Sequence, residues 1–173
     1  MKKQQIKDLI RDVPNFPSEG ILFKDITPLL REGDAFAAAV QAFADVSATY
    51  DVVAGVEARG FIFASAVAQL AGKGFVPIRK SGKLPYEAYS HSYALEYGEA
   101  TLQIHIDAFK PNERVLLIDD VLATGGTLGA AAELIQQCGA IVDSVAVLME
   151  IEGLGGREKF LASGINVPIT VLI

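Results

Sequence analysis

From residue 51 onward, short and almost wholly apolar runs alternate with longer stretches in which apolar residues recur every three or four positions. The short runs are "DVVAGV", "GFVPIR", "RVLLID", "SVAVLME" and "VPITVLI", and the periodic stretches between them are "GFIFASAVAQLAG", "TLGAAAELIQQCG" and "GGREKFLASG". Strands that are apolar on both faces belong to a parallel sheet covered by helices on each side. Right-handed helical crossovers joining consecutive strands give the simplest topology. The predicted fold is therefore α/β, a five-stranded parallel sheet flanked by helices.

The rest of the chain departs from this rhythm. Ile6, Leu9, Ile10 and Val13 share one helical face, and Pro14 stops the helix they predict. "PNFPSEGILFKDITPLL" places three prolines and Gly20 among apolar residues and reads as a structured loop with a brief extended piece. Residues 34 to 50 predict a helix with Asp34 as N-cap and Phe36, Val40 and Phe43 along one stripe. Between Arg79 and Arg114, a long polar loop leads into two strand-like pieces meeting at "YGEA", which predicts a hairpin. With no repeat or linker in 173 residues, a single domain is expected.

Composition narrows the partners. Asp plus Glu number 21 against 15 Lys plus Arg, a net charge of −6, which disfavours nonspecific nucleic-acid binding. The one cysteine, Cys138, makes no internal disulfide, and its place on the stripe Leu128, Ala131, Ala132, Ile135 predicts a core position. His91 and His105 lack a metal or nucleophile pattern, and His105 reads as a strand-surface residue. Charges in "MKKQQIKDLI" and the lack of an apolar run of about 18 residues lead us to expect a soluble cytoplasmic protein without membrane association.

Ligands of open parallel sheets bind at the carboxyl ends of the strands. Four segments lie there: "EARG" (57 to 60), "KSGKLP" (80 to 85), "DDVLATGGT" (119 to 127) and "EIEGLGG" (150 to 156). In "ATGGT", the glycines let successive N–H groups turn inward just before a helix, and Thr124 and Thr127 add hydroxyls, a cradle for a phosphate monoester. It is neither a P-loop nor a dinucleotide GxGxxG pattern, and TGGT alone serves equally as a helix cap. Asp119 and Asp120 precede it, and two carboxylates at a strand exit can accept from a vicinal diol or approach a metal. A diol beside a phosphate is a ribose 5-phosphate.

At this point a resemblance enters. "VLLIDDVLATGGT" resembles the phosphoribosyl-diphosphate (PRPP) signature of type I phosphoribosyltransferases. "FPSEGILFKDITPLL", "GVEARGFIF", "RKSGKLP", "LEYG" and "GREK" follow one another as in the adenine-using branch of that family, over nearly the whole chain. The resemblance implies transfer of phosphoribosyl from PRPP to adenine, giving AMP and pyrophosphate with Mg2+ in a homodimer. It implies a small hood over residues 1–33 and a flexible loop and hairpin over 80–106. Asp119 and Asp120 would hold the ribose hydroxyls, and Ala123, Thr124, Gly125, Gly126 and Thr127 the 5-phosphate. Arg59 would contact pyrophosphate, with Arg79, Lys80 and Lys83 adding positive charge. Glu96 would handle the purine's proton, beside Tyr97. The base would stack on Phe23, with backbone groups of Leu22 and Lys24 reading its edge and Leu154 opposite; no residue is assigned to the metal. Tyr86 departs from the basic or small residue of many relatives. The alternatives are a xanthine- or hypoxanthine-type enzyme and a non-catalytic PRPP-sensing regulator.

Overall fold

The computed structural model describes residues 3–94 and 98–173. Parallel strands β3 (Val52–Val56), β4 (Gly74–Lys80), β7 (Arg114–Leu122), β8 (Ile141–Glu150) and β9 (Ile169–Val171) form the expected five-stranded unit. The sheet itself has seven strands, because β5 (Ala88–Ala94) and β6 (Glu99–His105) add an antiparallel hairpin along the β4 edge, in the order β5-β6-β4-β3-β7-β8-β9. Two register pairs, Arg79 with Gln103 and Lys80 with Leu102, make that junction. It lies at the C-terminal end of β4, which brings the hairpin to the ligand end of the sheet.

The apolar strands divide their side chains between two cores, as a sheet covered on both faces requires. Val52, Ala54 and Val56 with Val115 and Leu117 face α5 (Gly126–Gln137) and Phe160 of α6 (Gly156–Leu161). Val53, Leu116 and Ile118 face α3 (Gly33–Ala44) and α4 (Arg59–Ala71), where Phe43 and Phe63 pack at 5.2 Å between ring centroids.

The N-terminal third differs most from expectation. The first helix, α1, covers only Lys3–Lys7, and the segment expected to continue it is strand β1 (Arg11–Pro14). Val13 pairs with Phe23 of β2 (Leu22–Asp25) in an antiparallel ribbon, so a partner strand outweighs a helical spacing that spans barely two turns. Helix α2 (Thr27–Arg31) was not anticipated; its Pro occupies the first turn, where no amide hydrogen is needed. Asp34 lies inside the first turn of α3 rather than at its cap, and the helix ends at Ala44 instead of Tyr50. Cys138 is the C-cap of α5, half-buried against the core, and burial pushes its thiol up to about 11. His105 is half-buried rather than a plain surface residue, its Nε2 enclosed without a hydrogen-bond partner. Among the described residues, no helix is long and apolar enough to cross a membrane.

Candidate active site

Asp119 and Asp120 are not in a loop: β7 runs on to Leu122, so both carboxylates belong to the strand. They are 9% and 5% exposed. Asp119 Oδ1 accepts the Asp120 backbone N–H at 2.8 Å. Asp120 Oδ2 lies 2.7 Å from Arg59 Nε, yet the N–H is not aimed at it, so this buried oxygen keeps acceptor capacity. Burial, reinforced by the Asp120 charge, holds the Asp119 carboxyl well above the ordinary range. Burial also raises Asp120, against the pull of Arg59. Two enclosed carboxylates facing one guanidinium favour positive charge arriving beside them.

Arg59, at the start of α4, is the hub. Its guanidinium lies 4.8 Å from the Phe23 ring centroid, and its Nη1 donates to the Lys24 carbonyl at 3.3 Å. One side chain thus connects the ribbon β1–β2 to the exit of β7. Phe16, 50% exposed, meets Phe23 edge-on at 5.1 Å and extends the aromatic surface. The close fit continues at Gly60, where an added Cβ would stand 2.9 Å from both Asp119 Oδ1 and the Ile118 carbonyl oxygen.

Beyond β7, residues Ala123 to Thr127 curl into the start of α5. Gly125 takes φ +80° at the N-cap, a left-handed conformation that glycine adopts freely. A small cavity of about 60 Å³ lies inside this turn, lined by Leu122 to Gly125, Thr127 and Leu128 among others. Its shape depends on the last loop: a Cβ on Gly125 would collide with the Gly156 carbonyl, and one on Gly156 with the Ala123 carbonyl. The glycines of "GLGG" therefore let two ligand-end loops touch backbone to backbone.

The basic loop is anchored through Glu57. Arg79 turns back onto Glu57, with Nε and Nη2 donating at 3.3 and 3.2 Å, and its Nη1 donates to the Lys83 carbonyl at 3.0 Å. The Lys80 backbone N–H donates to Glu57 Oε2 at 3.0 Å. Burial alone would raise Glu57, but these donors prevail and hold it below the usual carboxylate range. Arg79 is thereby committed to Glu57, while Lys80 and Lys83 are exposed cations. Glu57 was quoted in "EARG" without a role; its signal is the β3–β4 register, in which Val56 pairs with Ile78 and so sets Glu57 beside Arg79.

On the base side, Leu22 is 51% and Leu154 42% exposed. Phe23 spends its ring contacts on Phe16 and Arg59 rather than on Leu154. A cavity of about 450 Å³ lies on the Lys24 side of the ribbon, bounded by Lys7, Asp12, Lys24 and Glu150 to Glu152. Lys24 and Phe23 alternate across β2, so this cavity is on the face away from the aromatic platform. Glu96 and Tyr97 lie outside the described residues.

Comparison with known proteins decides the family. Residues 26–166 match the model of the phosphoribosyl transferase domain. An adenine phosphoribosyltransferase of Cutibacterium acnes is 53% identical over 173 residues, covering 99% of this chain and 97% of that protein. The chain belongs to the adenine phosphoribosyltransferase family. The crystal structure of the family member from Thermoanaerobacter pseudethanolicus superposes with a TM-score of 0.92 at 45% identity over 99% of both chains. That of Saccharomyces cerevisiae, complexed with an imino-altritol bisphosphate and adenine, gives 0.88 at 37% identity, covering 99% of this chain and 98% of the other. The sheet with its flanking helices is thus the architecture shared by this family.

Proposed function

We propose that this chain transfers the phosphoribosyl group of PRPP to adenine, releasing AMP and pyrophosphate. The observation that carries the reading is the adjacency of two enclosed carboxylates to a glycine-built turn at one strand exit, with Arg59 linking them to an aromatic platform.

A purine ring nitrogen attacks the anomeric carbon while the bond from that carbon to pyrophosphate breaks, the electron pair leaving with pyrophosphate. Positive charge grows on the ribose and negative charge on the leaving group, so positioning and electrostatics supply most of the acceleration. Asp119 and Asp120 accept from the ribose hydroxyls and favour the ribosyl charge. The amides and hydroxyls of Ala123 to Thr127 seat the 5-phosphate. Arg59 leaves the Phe23 face and turns to the pyrophosphate, which frees the ring for adenine and the Lys24 carbonyl for its edge; Lys80 and Lys83 add charge from the loop. Glu96 takes the proton that the purine nitrogen loses. Leu154 closes the opposite side of the base.

Phosphoribosyltransferases generally use Mg2+ with PRPP. Among the described residues, no group of three or more His, Cys, Asp or Glu side chains is placed to hold a metal. The donor set fits an ion held mainly by PRPP oxygens, with the spare acceptor of Asp120 as the available protein ligand. When bound, the ion neutralises the leaving group. A homodimer and a cytoplasmic location complete the proposal.

The test incubates the protein with PRPP, Mg2+ and adenine, hypoxanthine, guanine or xanthine in turn. Nucleotide from adenine alone is the expected result. Nucleotide from a 6-oxopurine instead would transfer the reading to another purine enzyme, and PRPP binding without turnover on any base would favour a regulator.

A further inference from the structure

The hairpin is fastened to the phosphate turn by its first strand. In β5 the side chains of Tyr89, His91 and Tyr93 alternate with exposed neighbours and face α5. His91 Nδ1 lies 3.3 Å from Glu133 Oε2, midway along that helix. Two residues on, the hydroxyls of Tyr93 and Thr127 are 3.0 Å apart, with Thr127 donating. The Tyr93 ring also closes over the turn: a Cβ on Gly126 would stand 3.0 Å from Tyr93 Cδ2. Nothing assigned so far uses Tyr93, yet it touches two of the five residues proposed to seat the phosphate.

We propose that Tyr93 is a positioning residue for the sugar phosphate, aiming the Thr127 hydroxyl at the ligand and holding the first turn of α5 beneath the hairpin. The inference rests on the reading of residues 123 to 127 as the phosphate seat. A threonine hydroxyl has one proton to give. In the ligand-free arrangement that proton goes to Tyr93 Oη. An arriving phosphate needs it, and the phenol, which has its own proton, then turns to donate to Thr127 Oγ1. Tyr93 to Thr127 to phosphate becomes a chain in which each donor polarises the next, ending on a charged acceptor. The same contact ties phosphate occupancy to the strand that leads, three residues later, to Glu96.

Tyr93→Phe keeps the ring over Gly126 and removes only the hydroxyl. The expected result is a rise of about three- to tenfold in the KM for PRPP, the scale of one hydrogen bond between neutral groups. The adenine KM and Tm should hold, and kcat should change less than about twofold. On a Thr127→Ala background the same substitution should have almost no further effect on the PRPP KM, since the partner is already gone. Calorimetric titration with ribose 5-phosphate, which lacks the pyrophosphate, should show the same weakening for Tyr93→Phe. An unchanged PRPP KM, or an undiminished effect on the Thr127→Ala background, overturns the role of Tyr93. Failure of the unsubstituted protein to form AMP or to bind ribose 5-phosphate would instead overturn the underlying reading of the site.

Discussion

At the scale of single residues, burial disfavours charge on Asp119 and Asp120. A carboxyl whose folded pKa is raised favours folding at pH values below its unfolded pKa, 3.8 here, and loses that advantage as pH rises toward the folded value. At neutral pH, Asp119 therefore weakens the fold. Asp119→Asn keeps an oxygen for the Asp120 N–H and removes the charge. It should raise Tm at pH 7 by about 2–4 °C, the shift that ~1 kcal/mol produces in a chain of this size. Melting curves should show the gap closing toward pH 4; a gap that grows on acidification would contradict the assignment. Arg59→Lys retains charge but not the planar group that lies over Phe23 and reaches Asp120 and the Lys24 carbonyl together. It should lower kcat/KM for PRPP by at least about tenfold, and equal kinetics would remove Arg59 from the site. The pair "DD" and the glycines after it were legible because their chemistry is local. That the strand runs on past Asp119 through Asp120 to Leu122 was not, since apolar runs mark where a strand is buried rather than where its hydrogen bonding ends.

Elements set how those residues meet. The parallel strands and the helices α4 and α5 were legible because long apolar periods repeat within them. Strand β1 was misread as the end of a helix reaching Val13, while β2 falls in the stretch read as a brief extended piece; four-residue strands are too short to show a period of two, and their pairing is a tertiary fact. The hood, where the base is proposed to bind, was thus the least legible part of the candidate site; Phe23 could be named, but not that Phe16 and Arg59 lie beside it. Contacts between loops were equally hidden. "GLGG" gives no hint that Gly156 rests on the Ala123 carbonyl. Gly156→Ala should force the two loops apart, lowering Tm and raising the PRPP KM more than the adenine KM. An alanine variant with unaltered melting and kinetics would show that the contact gives way without consequence.

Across the whole molecule, charge is distributed by function. Away from the ligand end, Arg114, Ser47 and Thr49 donate to Asp143, and these hydrogen bonds outweigh burial and hold Asp143 below the usual carboxylate range. Glu57 shares that direction through Arg79 and Lys80. Groups lowered in this way stabilise the fold above their unfolded pKa, 3.8 for Asp143 and 4.5 for Glu57, and the contribution disappears as pH falls through the folded values. Acid unfolding should accordingly set in below about pH 4, with Asp143→Asn moving the midpoint upward; stability indifferent to pH down to 2 would contradict this. Light scattering should find a dimer, and a monomer at every concentration would refute the proposed assembly.

The central claim joins the two carboxylates, the glycine turn and the aromatic platform into one phosphoribosyl transfer site. Its most direct test is the initial rate of AMP and pyrophosphate formation from adenine, PRPP and Mg2+, measured for the unsubstituted protein and for Asp120→Asn over a range of PRPP concentrations. The account predicts equimolar AMP and pyrophosphate from the unsubstituted protein, and a kcat/KM for PRPP lower by about 100-fold or more in the variant, the scale of losing a charged partner at a buried site. PRPP kinetics unchanged by the substitution, or no AMP from the unsubstituted protein, would contradict it.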